Sequence, residues 1–267
     1  MTPHPPTFAV SPLNARSSQV GALTQVLVAE VMDDLRAILR EPAALFFSVL
    51  MPVGFFALFV SLFGHQAAGT GGAAGTQMVA TFGTFGVLSV TLLNPGISVA
   101  GDRDKGWLRA KQVSGVPTLV TLAAKVLAAL PYALAVLAAM AVTAALNGSL
   151  DAPIGELLAI AAVLLLGSLP FTLLGLAVGF VASPNATSAI LNAFMFPAAV
   201  LSGLWMPLDI MPSFIQHLAP FLPTYHLARL ALAQLHGGPV LGHILVLAGM
   251  TIVTAALASV AYRRGRP

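Results

Sequence analysis

The chain has 267 residues, of which 58% are hydrophobic and only 8% are charged, with a mean hydropathy of +0.92. An ordinary soluble domain carries about 25% charged residues. The 12 basic and 9 acidic side chains here are too few to cover a water-soluble particle, which excludes a soluble globular enzyme, a disordered chain and a coiled coil.

What remains is a polytopic membrane protein, and the 24 glycines and 19 prolines fit one, because membrane helices tolerate both. The absence of cysteine removes disulfides, thiolate nucleophiles and cysteine metal sites. The net charge of +3 and the pI near 9.7 fit basic residues on the cytoplasmic side of a membrane, so no nucleic-acid partner is expected.

Residues 1–18 are rich in proline and serine and hold no apolar run, so a disordered cytoplasmic tail is expected rather than a cleavable signal. From 19 to 41 the pattern changes. Leu23, Leu27, Val31 and Leu35 recur every four positions, while Glu30, Asp33, Asp34, Arg36 and Arg40 fill the other face. This predicts an amphipathic helix lying along the inner membrane surface, in contact with lipid. A polar stalk leading into the first span is the alternative.

A span needs about 20 apolar residues at about 1.5 Å each to cross the hydrocarbon. Six stretches qualify within 42–267: 43–63, 77–100, 119–146, 155–182, 187–204 and 239–261. The expected fold is thus an all-α membrane protein with six transmembrane helices. With the amino terminus inside, eleven of the 12 basic residues fall on the cytoplasmic side and Arg229 alone falls outside. That asymmetry predicts both termini in the cytoplasm. Lys125, near the inner end of span three, and Glu156, near the outer end of span four, are expected to snorkel to the interfaces. The span cores hold no ionic pair by this reading. Gly175 and Gly179 form a small-xxx-small pair, a weak signal for dimer contact.

The densest polar feature is GDRDKGWLRAKQVSGVP, residues 101–117. Asp102, Arg103, Asp104, Lys105, Arg109 and Lys111 surround Trp107, Leu108 and Val113. Such a segment can form a short helix that docks on a cytoplasmic partner, with charges setting register and tryptophan anchoring. A basic inner loop with an interfacial tryptophan is the plainer reading.

Residues 205–238 are amphipathic and cut by Pro207, Pro212, Pro220 and Pro223 into pieces too short to span. They predict two short helices that dip into the outer half of the membrane and return; an exposed outer loop is the alternative. Neither an HExxH zinc motif, nor a GxxxxGK[ST] phosphate loop, nor GxSxG occurs in the sequence. No enzymatic activity and no cofactor of its own are therefore expected. His217, His226, His236 and His243 could gather near the outer segment, without evident metal spacing, so no metal is expected. Ser202 with His217 is a remote candidate for a hydrolase.

Four passages together resemble the integral-membrane subunit of type-2 ATP-binding-cassette exporters, the ABC-2 permeases. They are 32–59, with Arg36, Arg40 and Pro42 before a proline-containing apolar run; 100–127, with Asp102, Arg103, Gly106, Leu108, Pro117 and Lys125; 196–227, with its Ser202-Gly203 turn, Pro207, Asp209 and Pro223; and the last span with its basic tail. The likeness covers about 40–267. Two departures stand out. Asp102 occupies a position where the family has glutamate, and Trp107 replaces the threonine of Gly-Thr-Leu. Gly106-Trp107-Leu108-Arg109 is similar to a subgroup associated with antibiotic or lipid resistance.

The resemblance implies a permease in a prokaryotic plasma membrane, paired with a second permease copy and powered by a separate cytoplasmic ATPase that binds ATP and Mg. It implies that Asp102, Arg103, Lys105, Gly106, Trp107, Leu108 and Arg109 receive the ATPase stroke, aided by the helix bearing Leu27, Val31, Leu35, Arg36 and Arg40. It further implies outward movement of an amphipathic drug, antibiotic or lipid-like substrate along spans one, two and five. Gly203, Pro207, Asp209 and Pro223 would shape the outer cap. A non-transporting membrane anchor or sensor for a cytoplasmic partner is the alternative function.

Overall fold

The structure is a computed structural model that describes residues 24–36, 40, 46–65, 74–115 and 117–264. The expected tail over 1–18 lies outside these residues, as do Leu23 and the other ends of the 19–41 stretch. Among the described residues, every regular element is helical. Helix α1 covers 24–36. A π-helical turn, Phe46–Leu50, leads into α2, Met51–Phe63. Then come α3, Ala74–Thr91, and α4, Leu93–Asp104, which continue one another; the short α5, Trp107–Val113; and the long α6, Thr118–Leu146. A second continuous pair follows, α7, Ile154–Gly167, and α8, Leu169–Gly179, and after it α9, Pro184–Leu201. The chain ends with α10, Ser213–Leu218, α11, Pro223–His236, and α12, Leu241–Arg264.

Prolines mark the joints. Pro95 and Pro170 lack the N–H that would bond a carbonyl four residues back. The helical assignment breaks just before them, at Leu92 and Ser168, and then resumes. Pro184 and Pro223 open α9 and α11, where a missing N–H costs nothing. Ser183 caps α9 by accepting from the Ala186 amide at 3.4 Å.

Among the described residues, four helices are long and apolar enough to cross a membrane: Ala74–Asp104, Leu119–Leu146, Ile154–Gly179 and Leu241–Arg264. They make the chain a multi-pass membrane protein. The stretches expected as the first and fifth spans are shorter or more polar. Of the first, residues 46–63 are described: the π-helical turn Phe46–Leu50 runs directly into the apolar helix Met51–Phe63, and 43–45 lie outside the described residues. The fifth is α9, whose opening half carries Asn185, Thr187, Ser188 and Asn192.

The α3–α4 span lies at the centre of the bundle. Phe82, Phe85, Leu88 and Leu92 on it are fully buried among Phe56, Met140, Leu164, Phe171, Leu191 and Leu227 from the surrounding helices. Helix α12 is peripheral and leaves Leu241, Ile252 and Val253 exposed. On a membrane helix that surface faces lipid, which is as apolar as the side chains.

The glycine pair of α8 has a use within one chain. A Cβ on Gly175 would lie 2.1 Å from the Leu92 carbonyl oxygen, and one on Gly179 would lie 2.2 Å from that of Gly96. These glycines let α8 and α4 touch backbone to backbone. The dimer signal read from the small-xxx-small spacing is thereby corrected to an intrachain contact.

At the far end of the bundle from α5, the segment after α9 is tied down. The Gly203 amide donates to Val200 and the Leu204 amide to Ala199, the paired bonds of a Schellman turn. The Trp205 ring then wedges edge-on against Phe55 and Phe85, with centroids 4.9 and 5.0 Å away. Pro207 precedes a 3-10 turn, Leu208–Ile210, in which Asp209 is exposed. Pro223 starts α11, whose Thr224, Leu227, Ala228, Leu230 and Ala231 are buried. By contrast α10 buries nothing, and Ile210, Phe214 and Phe221 around it are more than half exposed.

Candidate functional site

Helix α4 ends in Asp102, Arg103 and Asp104, and the chain reverses through Lys105 and Gly106 into α5. Gly106 has φ +73°, a left-handed conformation that glycine adopts without a Cβ clash. The Lys105 amide bonds back to Gly101 at 3.0 Å and the Gly106 amide to Arg103 at 3.0 Å. So α5 leaves at a fixed angle, and its amino-terminal face is presented outward. Trp107 is 56% exposed, and Lys105 and Arg109 are exposed with it. Leu108 turns inward, against a small core of Val99, Leu176, Phe180 and Ala258.

Arg103 fastens the root of this segment. Its guanidinium donates to the carbonyls of Gly179 at 3.3 Å and Ala182 at 3.0 Å, and to the Asp104 carboxylate at 3.2 Å. Gly179 is the last residue of α8, and Ala182 follows it in the bend before α9. At the end of a helix the last C=O groups lack helical partners and the helix dipole favours a cation.

The other clamp is Lys125, on α6. Its side chain is 1% exposed and its ammonium meets three oxygens: Asp102 Oδ2 at 2.7 Å, Ser98 Oγ at 2.7 Å and Asp34 Oδ1 at 3.2 Å. An ammonium has three N–H donors, and three acceptors satisfy them. The expectation that Lys125 snorkels outward is therefore corrected. The lysine points inward and forms a buried ion pair at the end of its span, because two carboxylates from other helices are there to receive it. Glu156 sits in the first turn of α7, where its charge complements the helix dipole.

Asp34 and Glu30 reach this place from α1. Glu30 pairs with Lys111 of α5. The Tyr132 hydroxyl of α6 donates to the Leu35 carbonyl at 2.6 Å. Leu27, Val31 and Leu35 are half-buried on the same side, as their spacing predicts. The sequence reading placed Glu30 and Asp34 on the solvent face. The structure corrects this: both turn toward lysines on α5 and α6. Arg36 and Arg40 do remain exposed, with Arg36 3.6 Å from Asp33.

Asp34 keeps one oxygen, Oδ2, buried without a hydrogen-bond partner. Burial pushes its carboxyl above the ordinary value of 3.8, while the Lys125 ammonium pulls the other way. The neighbouring Asp102 carboxylate adds a smaller push in the same direction as burial.

The remaining candidates stand apart from this end. His226 and His243 meet through their Nδ1 atoms at 2.7 Å, and the His226 Nε2–H donates to the Pro220 carbonyl at 2.9 Å. His236 bonds Gln77, and His217 donates to its own helix at Ser213. The outer histidines thus form one pair rather than a cluster. Among the described residues, no group of three or more His, Asp or Glu could hold a metal. The Ser202 hydroxyl is bonded to Thr224. Arg229 lies over the Tyr225 ring, 6.0 Å from its centroid.

Two comparisons fit this geometry. The family model for the ABC-2 type transporter matches residues 25–235, which include α1, the α4–α5 elbow and the segment through α11. The chain belongs to the ABC-2 type transporter family. It is also similar to the protein named "Putative transport permease YvfS" from Bacillus subtilis (strain 168), with 24% identity over 224 residues, covering 83% of this chain and 91% of that one. An ABC-2 permease is the membrane component of its transporter and is not itself the ATPase; the family in general works with an ATP-binding-cassette subunit.

Within this ABC-2 permease, sequence reasoning missed Ser98, Tyr132, Glu30, Asp34 and Lys125 as site residues. Two signals were legible. Glu30 and Asp34 are four apart and so share a helix face. A lysine in an apolar span needs a counter-charge or a route to water.

Proposed function

We propose that this chain is the membrane gate of an ATP-driven exporter, moved by a separate cytoplasmic ATPase that binds the outward face of α5. The observation that carries the reading is the elbow itself. An exposed tryptophan with Lys105 and Arg109 projects from the bundle, while Arg103 and Lys125 tie its root to α8, α6 and α1. A mobile loop would dissipate a push, whereas an elbow pinned on three sides passes it into the spans.

The motor, with its ATP and Mg, belongs to the partner. This chain's share is to receive motion at Asp102, Arg103, Lys105, Gly106, Trp107, Leu108 and Arg109 and to carry it through α4. The asymmetry of lysine and arginine supports six spans with both termini in the cytoplasm of a prokaryotic cell. Under that topology α2 and α9 complete the crossing, and the segment 205–238 forms the outer re-entrant pair. The exposed Ile210, Phe214 and Phe221 suit lipid or a second permease copy better than water. A charge-poor interior suits an amphipathic substrate, and the family likeness favours export, with a path between two permease copies.

Co-expression with a tagged ATP-binding-cassette ATPase tests the reading. The two proteins are expected to purify together and to hydrolyse ATP in vesicles. Gly106→Val and Trp107→Ala should release the ATPase. Full retention of ATPase binding and flux by both variants would overturn the assignment of α5. Binding without ATP-dependent movement of a lipid dye would favour a membrane anchor.

A further inference from the structure

The three-way contact at Lys125 does more than neutralise a buried charge. Its ammonium joins α1, through Asp34, to α4, through Asp102 and Ser98, while its own backbone belongs to α6. The Glu30–Lys111 pair and the Tyr132–Leu35 bond run beside it, and they too link α1 to α5 and α6. Among the described residues of α1 none is fully buried: Leu27, Val31 and Leu35 are half-buried, and Val28, Ala29 and Met32 are exposed.

We propose that Lys125 is a positioning residue, an electrostatic latch that makes α1 and the α4–α5 elbow move as one body. The inference rests on the coupling role given to α5 above and goes beyond it, by naming the group that recruits the surface helix into the stroke. Hydrophobic contact alone would let α1 slide along the bundle, because it is non-directional. An ammonium held by three oxygens from two other helices fixes both position and orientation, and once buried it is screened little by salt. Lysine serves here through its three donors on a compact charge. Arginine at the same site retains the charge and the donors, whereas methionine retains only the volume.

The cysteine-free sequence permits a direct test. Spin labels are placed at Val28→Cys on α1 and Val113→Cys on α5, which are 57% and 85% exposed. Their distance distribution is measured in vesicles, for the permease alone and for its complex with the ATPase, with and without ATP. The latch predicts one narrow distribution in every state for the otherwise native chain and for Lys125→Arg. Lys125→Met should give a broad distribution, with about tenfold less ATPase stimulation by the permease although the ATPase still binds. Asp34→Ala removes only the α1 arm and should broaden the distribution in the same way. It serves as the deciding variant if Lys125→Met does not fold.

A native, narrow distribution in Lys125→Met, or in Asp34→Ala when that variant decides, overturns the latch. Failure of the native chain to bind any ATPase overturns the coupling role instead, and the permease-alone distances then still decide whether Lys125 holds α1 to the elbow.

Discussion

Arg103 and Gly179 are 76 residues apart in the chain, yet the guanidinium of one donates to the backbone carbonyl of the other at 3.3 Å. The same side chain reaches Ala182 at 3.0 Å. One arginine therefore closes the open end of α8 and anchors the root of the elbow.

Replacing Arg103 by methionine should cost about 3 kcal/mol, since hydrogen bonds from a charged donor contribute about 1.5–3 kcal/mol. Arg103→Lys should recover only part of this, because a single ammonium cannot reproduce the planar fork. Thermal unfolding in detergent, followed by tryptophan fluorescence, measures both. Equal midpoints for the native and methionine proteins would contradict the clamp.

The α4–α8 contact predicts a sharp contrast among glycines. Gly179→Leu must push against the Gly96 carbonyl and should abolish folded protein. Gly249→Ala, with nothing within 4 Å of the new Cβ, should leave yield and unfolding unchanged. Size-exclusion profiles of fluorescent fusions distinguish the two.

Trp107 should separate binding from stability. At 56% exposure it contributes little to the fold, so Trp107→Ala should unfold at the native midpoint. If it anchors the ATPase, its removal should cost at least about 2 kcal/mol of affinity, roughly thirtyfold. Titration of the purified ATPase onto vesicles reads the affinity, and an unchanged value would remove tryptophan from the interface.

Asp34 predicts a pH dependence of unusual sign for a carboxylate. Its folded-state value is raised, so the folded state holds this proton more tightly than the unfolded state does. Its contribution to stability is thus fully present below the ordinary value of 3.8 and falls as pH rises through the raised one. Asp34→Asn, which cannot ionise, should flatten that decline. Unfolding midpoints of the two proteins across this window provide the check; parallel curves would show that Asp34 does not titrate as described.

The sequence by itself determined the solvent and the fold class. Continuous apolar runs can satisfy their backbone in lipid only as helices, so composition and length suffice. It also marked the elbow, since Arg103, Lys105, Gly106 and Trp107 lie within a few residues of one another, and it showed the half-buried stripe of Leu27, Val31 and Leu35. Tertiary structure alone decided what the isolated charges do. Whether Lys125 reaches water or a carboxylate depends on which helices lie beside it, and Asp34 comes from 91 residues away. Gly175 and Gly179 likewise permit close packing against any backbone, and only the assembled bundle selected α4, because helix contact in lipid rewards shape rather than hydrophobicity.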